Sequence, residues 1–193
     1  MKSIVVFCGS GEGNKPVYKE AAHILGTTLA MQGIRLIYGG ARVGIMGAVA
    51  EAALAAGGEV IGVIPNFLRT KEVAHEGLTQ LIVTENMHER KLKMHELSDG
   101  IIALPGGWGT MEELFEMLTW AQLGLHVRPV GLLNVNGYYD PLKAMCDTMV
   151  QEGFLSECMN TTLLISESAE DLLEQMMEYT PQPVPKWITK QTT

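Results

Sequence analysis

The chain has 193 residues, 47% of them hydrophobic and 19% charged, with a formal net charge of −8. That length and apolar content suit one folded domain with a sizeable core and exclude a disordered chain. The acidic balance argues against a general binder of nucleic acid or of an anionic membrane, so an anionic small ligand needs a local basic cluster instead.

In chain order, Ile4 to Phe7 reads as a first strand with Cys8-Gly9-Ser10-Gly11-Glu12-Gly13 as its exit loop. A helix follows from Val17 to Gln32, opened by Pro16 and stopped by Gly33. The glycine spacing in the loop is G-x-G-x-G, which is not the dinucleotide fingerprint. A tight turn and a nucleotide contact through Ser10 both fit it. Ile34 to Tyr38 is a second strand, and Gly39-Gly40-Ala41-Arg42-Val43-Gly44-Ile45-Met46-Gly47 opens a helix to about Ala56. This second glycine-rich turn lacks the Lys-Ser/Thr pair of a P-loop, so it does not imply Mg-ATP chemistry. Arg42 in it suits a phosphate partner or a solvated loop residue equally.

Glu59 to Ile64 is a third strand ended by Pro65. The stretch 66–77 reads as a surface loop, with a flap over a site as the alternative. Leu81 to Val83 is a fourth strand. The helix expected from Asn86 to Leu97 carries Met87, Met94 and Leu97 on one stripe, and Arg90 falls on that stripe with Lys91 beside it. An inward-facing cation needs an anion or a full set of hydrogen bonds, so Arg90 is a structural ion pair or an anion-binding group. His88 and His95 are seven apart, but no HExxH or Cys/His cluster accompanies them, and no metal is expected.

Ile101 to Leu104 is a fifth strand. It leads into Pro105-Gly106-Gly107-Trp108-Gly109-Thr110-Met111-Glu112-Glu113, where strand hands over to helix. Glycines let backbone N–H groups approach a ligand, and a helix start offers unpaired donors and a positive dipole end, which suits a phosphate. Thr110 to Glu113 also fits the capping-box pattern, with Thr110 as N-cap and Glu113 three residues on. In the helix that follows, Met111, Leu114, Phe115, Leu118 and Leu125 form one expected apolar face, and Met117, Trp120 and Leu123 extend it. One side suits the sheet and the other a partner subunit, so a homodimer is expected. Pro129 to Leu133 is a sixth strand, Asn134 to Gly137 a turn, and Asp140 to Gln151 a helix. Leu163 to Ile165 is a seventh strand, and Ser168 caps a last helix to about Tyr179. The alternation predicts a single α/β domain over 1–180, Rossmann-like and doubly wound, with a mainly parallel sheet of about seven strands. A proline-containing tail occupies 181–193. Cys8, Cys146 and Cys158 show no CxxC spacing and are expected as reduced thiols of a cytoplasmic protein. Lys2 with Ile4 to Phe7 is too short for a signal-peptide core, and Glu51 and Glu59 cut the later apolar runs, so no membrane span is expected.

The Pro105 to Glu113 stretch resembles the PGGxGTxxE motif of the LONELY GUY (LOG) family, cytokinin riboside 5′-monophosphate phosphoribohydrolases often mislabelled lysine decarboxylases. The resemblance runs from about Ile4 to the last helix. The motif has about six fixed positions and is far more specific than a lone GxGxxG. The stretch Gly39 to Gly47 is similar to the family's GGGxxGLMG loop, with Ala41 for the third glycine, and Met87 to Lys91 resembles its MHxRK segment. The resemblance implies hydrolysis of an N-glycosidic bond in a nucleoside 5′-monophosphate, without a metal or other cofactor, and pairing into dimers. It implies Arg90 and Glu113 as the catalytic residues. It also implies substrate contacts at Ser10, Gly44, Gly47, Met87, Lys91, Gly106, Gly107, Gly109 and Thr110. A carrier of nucleotide or cofactor on the same fold is the alternative. The residues alone leave Glu113 as cap or catalyst open.

Overall fold

The computed structural model describes residues 1–69 and 74–182. Residues 70–73 of the expected loop, and 183–193 of the expected tail, lie outside the described residues.

Seven strands form one sheet: β1 (Ser3–Phe7), β2 (Arg35–Tyr38), β3 (Val60–Pro65), β4 (Gln80–Thr84), β5 (Gly100–Ala103), β6 (Val130–Leu133) and β7 (Leu163–Ser166). Their order is β4-β3-β2-β1-β5-β6-β7, and every neighbouring pair is parallel. The expected doubly wound α/β fold is therefore the observed one. The helices are α1 (Val17–Met31), α2 (Gly44–Ala55), α3 (Asn66–Arg69), α4 (Met87–Glu96), α5 (Trp108–Gln122), α6 (Asp140–Gln151), α7 (Glu157–Asn160) and α8 (Ala169–Glu178).

A strand covered on both faces reads as a continuous apolar run rather than an alternating one. β1 is such a strand, fully buried. Ile4 and Val6 enter a core with Leu25 and Leu29 of α1, Val49 of α2 and Leu172 of α8. Val5 and Phe7 enter the opposite core with Met94 of α4 and with Leu114 and Met117 of α5. The two-residue period of the strand thus sorts one run of sequence into two layers.

Two sequence expectations change. The α5 face splits: Leu114 and Met117 are buried, while Phe115 and Leu125 are 37% and 39% exposed. Leu114 and Met117 are three apart and share a face. Phe115 is rotated about 100° from Leu114 by the 3.6-residue turn, and Leu125 lies beyond the helix end. The second change is α7, a single turn in which the Ser156 hydroxyl accepts from Met159 N–H at 3.3 Å. Four residues carry no periodicity to betray a helix.

α1 and α2 pack closely because Gly26 stands mid-helix. A Cβ there would lie 3.0 Å from Ala53 N and closer still to Val49 O. Alanine is the better helix former by about 1 kcal/mol, but overpacking a well-filled core costs about 1–3 kcal/mol. The Gly26→Ala variant is therefore expected to be less stable than the wild type in urea titration. An increase in midpoint would show that the two helices can part at little cost.

Candidate active site

The sheet order reverses between β1 and β5, and open α/β sheets bind ligands in the crevice beyond the strand C-termini at such a point. The β1 exit loop and the β5 exit loop touch there. Gly9 N–H donates to Pro105 O at 3.2 Å, and a Cβ on Gly9 would stand 3.3 Å from Gly106 Cα. A side chain at Gly106 would in turn collide with the Thr110 hydroxyl and come within 2.8 Å of Gly9 N. Two facing glycines are what let the loops close to this distance.

The capping-box reading of Thr110 and Glu113 does not hold. Gly107 is the N-cap of α5, in extended conformation and without a side-chain cap. The first intrahelical bond runs from Met111 N–H to Gly107 O at 3.1 Å. Thr110 is therefore the third helical residue and Glu113 lies in the second turn. Trp108, Gly109 and Thr110 precede that first bond, so their N–H groups point out of the helix start with its positive dipole end. The arrangement suits a phosphate.

The α2 start behaves differently. Ile45 N–H donates to Gly11 O and Met46 N–H to Gly9 O, each at 3.3 Å, and Gly47 N–H to Val43 O at 3.0 Å. The first two hold the β1 exit loop, and the third opens α2 itself. Gly44, at φ 59°, is pressed against the Ser10 backbone, and Gly47 against that of Arg42. The α2 start thus braces the β1 exit loop through the N–H groups of Ile45 and Met46, with Gly44 and Gly47 packed against backbone. Arg42 is solvated, with its Nε 3.6 Å from a Glu51 carboxylate oxygen.

Arg90 and Glu113 come together. Arg90 Nε donates to Val63 O at 3.0 Å and Nη2 to Gly39 O at 3.2 Å, so the ends of β2 and β3 grip the guanidinium. Nη1 faces the Glu113 carboxylate at 3.9 Å and the Met87 sulfur at 3.8 Å. At 3.9 Å the acid and the base are an ion pair without a hydrogen bond, which leaves both free to take a ligand. Both residues are buried. Burial pushes the Glu113 pKa up to about 7, against the pull of Arg90 and with help from Glu112. A carboxyl with a pKa near neutrality beside a cation, in a cleft, is suited to proton transfer.

Lys91 points elsewhere. Its ammonium donates to Glu112 at 2.5 Å and to Glu116 at 3.0 Å, tying α4 to α5 beside the Arg90–Glu113 pair. A cavity of about 210 Å³ is lined by Cys8, Ser10, Arg90, Trp108, Thr110 and Glu113, among others, with Gly9, Gly107 and Gly109 on its wall. Sequence reasoning passed over Cys8, whose buried thiol is pushed well above its usual pKa by desolvation and by Glu113. It also passed over Tyr138 and Tyr139. Tyr139 O–H donates to Leu104 O at 2.7 Å and Tyr138 O–H to Gly106 O at 2.5 Å, so the β6 exit pins the β5 exit loop. The visible signal was the left-handed pair Asn136 and Gly137 placed just before tandem tyrosines. Among the described residues no cluster of three or more His, Cys, Asp or Glu side chains could hold a metal ion.

A family model described as "Possible lysine decarboxylase" matches residues 46–176. The chain is 47% identical, over 94% of its length and 85% of the relative's, to the cytokinin riboside 5′-monophosphate phosphoribohydrolase LOG1 of Arabidopsis thaliana. The chain belongs to the LONELY GUY family. The rice relative (Oryza sativa subsp. japonica) named cytokinin riboside 5′-monophosphate phosphoribohydrolase LOG is 46% identical over 94% of this chain and 75% of its own. Among solved structures, a molybdenum cofactor binding protein of Rippkaea orientalis is 27% identical with a TM-score of 0.66, covering 92% of this chain and 97% of that one. A Moco carrier protein of Chlamydomonas reinhardtii shares the fold at 19% identity and TM-score 0.68, over 92% and 98% of the two chains.

The LOG-family arginine and glutamate thus fall on a pair whose geometry depends on the planar guanidinium fork. Lysine at position 90 keeps the charge but reaches at most one of the two strand carbonyls in that geometry. Arg90→Lys is expected to lower turnover of a nucleoside monophosphate by at least about 10²-fold, the low end for losing a positioned catalytic group. A steady-state assay beside a melting curve checks this. Full turnover would make Arg90 a purely structural cation.

Proposed function

We propose that this LOG-family protein hydrolyses the N-glycosidic bond of an adenosine 5′-monophosphate, bare or N6-substituted, as in a cytokinin riboside 5′-monophosphate. The products are free base and ribose 5-phosphate. The observation that carries the reading is the buried Arg90–Glu113 pair, 3.9 Å apart, at the foot of a helix start with free N–H donors. The phosphate sits on the N–H groups of Gly107, Gly109 and Thr110, with Ser10 at the rim. The bond from C1′ to the base nitrogen breaks with its electron pair leaving on the base. The sugar passes through an oxocarbenium-like state, as in other glycosyl hydrolyses. Ionised Glu113 stabilises that cation and takes a proton from the water that adds to C1′, and that proton passes on to the released base nitrogen, which returns Glu113 to its ionised form. The unspent face of Arg90 meets the negative charge growing on the base.

Decarboxylation, which the family description suggests, suits these residues poorly. A Schiff-base lysine needs a free neutral amine. Lys91, the buried lysine among the described residues, is held as an ammonium by two carboxylates. The carrier alternative draws on the molybdenum cofactor proteins of similar fold. A carrier has no use for a carboxylate tuned to neutrality, and release of base from AMP separates the two.

The reading sets the pH dependence. The working form of Glu113 is ionised, so kcat/KM falls as pH drops through about 7. For stability the sign is opposite. The folded pKa lies above the ordinary value of 4.5, so the folded state binds the extra proton and stability falls as pH rises from 4.5 to 7. Glu113→Gln is expected to lose about 10²–10⁴ in base release while melting no lower than the wild type at pH 8. Near-normal release would remove Glu113 from the chemistry.

A homodimer belongs to the same reading. Support comes from the outer side of α5, where a groove of about 210 Å³ between α5, α6 and α7 is lined by Phe115, Leu118, Met149 and Phe154. Phe154 is 84% exposed. Covering such a patch is favourable in water. Light scattering is expected to give a dimer mass, and Phe154→Asp to shift it toward monomer; a monomeric wild type at micromolar concentration would end the idea. A cytoplasmic location is also part of the reading, supported by three free thiols at Cys8, Cys146 and Cys158. The net charge of −8 favours a small anion bound locally over nucleic acid or an anionic membrane as partner.

A further inference from the structure

A guanidinium and a carboxylate left free close to about 2.7–2.9 Å and pair by parallel hydrogen bonds. Arg90 and Glu113 stay 3.9 Å apart because the carbonyls of Val63 and Gly39 hold the fork back by its Nε and Nη2. Val63 lies within β3, paired to β4, and the sheet fixes its peptide. Gly39 lies beyond the end of β2 and is followed by Gly40, at φ 78°. A glycine pair is a permissive place in a backbone, and the peptide between the two carries the Gly39 carbonyl. Turning that peptide over points the carbonyl away from Arg90.

Two contacts hold the peptide. On one side Gly40 presses on β3, where a Cβ would stand 3.2 Å from Ile64 Cβ and 3.4 Å from Val63 N. On the other, His75 N–H donates to Gly40 O at 3.1 Å, beside an antiparallel bridge of Ala41 to Ala74. Among the described residues no strand continues from that bridge. The His75 side chain supports it instead. Its Nδ1 accepts from Gly77 N–H at 3.2 Å, the closure that an asparagine makes across two residues in an Asx turn. The ring is buried, and Gly77 packs on it so closely that a Cβ would come 3.2 Å from Cε1. An accepting Nδ1 puts the proton on Nε2. Burial and the Arg42 charge hold the imidazole below its ordinary pKa, against the pull of Glu51, so the accepting form is the one present at neutral pH.

Resting on the hydrolase reading, we propose that His75 is a positioning residue: its imidazole closes the turn 74–77, the turn pins the Gly39–Gly40 peptide, and that peptide holds the Arg90 guanidinium off the Glu113 carboxylate. His75 touches neither of the two and acts through main chain. Without the closed turn the Gly39 carbonyl turns away and the fork swings onto Glu113. A direct pair favours the ionised carboxylate and leaves neither group free for a ligand.

The test follows the Glu113 carboxyl carbon by NMR through a pH titration of the full chain, with base release from AMP measured beside it. Besides burial, the charges that set this titration are Arg90, Glu112, Lys91 and Glu116, and the variants leave all of them in place. His75→Leu fills the space without an acceptor. It is expected to move the Glu113 midpoint down from about 7 by about 1 pH unit or more, as a direct arginine partner does. Turnover at pH 8 is expected to fall by about 10²-fold, the scale of a misplacement of about 1 Å. His75→Asn keeps an acceptor for Gly77 N–H and is expected to restore both readouts. A role confined to stability lowers the melting temperature of His75→Leu and leaves the Glu113 midpoint where it was. That result overturns the proposal, as does an upward move of the midpoint, wild-type turnover in His75→Leu, or a His75→Asn variant that behaves like His75→Leu. Should His75→Leu fail to fold, His75→Gln keeps size and polarity but carries its acceptor one bond further out, and is read in the same way. If the wild type releases no base from any monophosphate, the hydrolase reading falls by itself, and the Glu113 midpoint still decides whether His75 keeps the gap open.

Discussion

A guanidinium and a carboxylate, both buried, are held 3.9 Å apart, and the surrounding structure exists on their terms. Burying a charge costs several kcal/mol unless hydrogen bonds replace the lost water. Arg90 meets that cost with the carbonyls of Gly39 and Val63, which only the C-terminal ends of adjacent parallel strands place side by side. Glu113 has no such compensation and answers with a raised pKa. The asymmetry leaves a permanent cation facing an acid that changes state near neutrality, a combination a fully satisfied salt bridge would forfeit.

Around the pair, the charges are layered. Lys91 lies between Glu112 and Glu116 and draws α4 against α5, so the helices that carry Arg90 and Glu113 cannot drift independently. The same carboxylates push the Glu113 pKa up while Lys91 and Arg90 pull it down. Position and protonation are thus set by one cluster. Its two members Arg90 and Glu113 line the cavity, and its outer three face each other.

The glycine-rich turns show how similar sequences take on opposite tasks. Both stand between a parallel strand and a helix. The turn after β5 ends at a helix whose first donors are unspent. The turn after β2 delivers its donors into the carbonyls of Gly9 and Gly11. The second turn braces the β1 loop, and the first is left open to a ligand. A fold that spent both starts on anions would have little to hold the β1 exit in place, since that loop contributes few side chains of its own.

Much of this was legible in the order of residues. Apolar runs separated by amphipathic stretches determined the number of strands, their parallel pairing and the handover from strand to helix at Pro105 to Gly107. Helical spacing placed Arg90 on the buried stripe of α4, and burial of a cation demanded a partner. Tertiary structure alone decided who the partner was, and which helix donors remained free. Thr110 to Glu113 matches a capping box in every letter, yet α5 begins at Trp108 and the cap is Gly107. Tyr138 and Tyr139 reach carbonyls more than 30 positions away. Spacing along the chain encodes the period of a helix or a strand, because those bonds are local. Whether an N–H or a carbonyl is already taken depends on groups brought near by the sheet, and no local pattern records that.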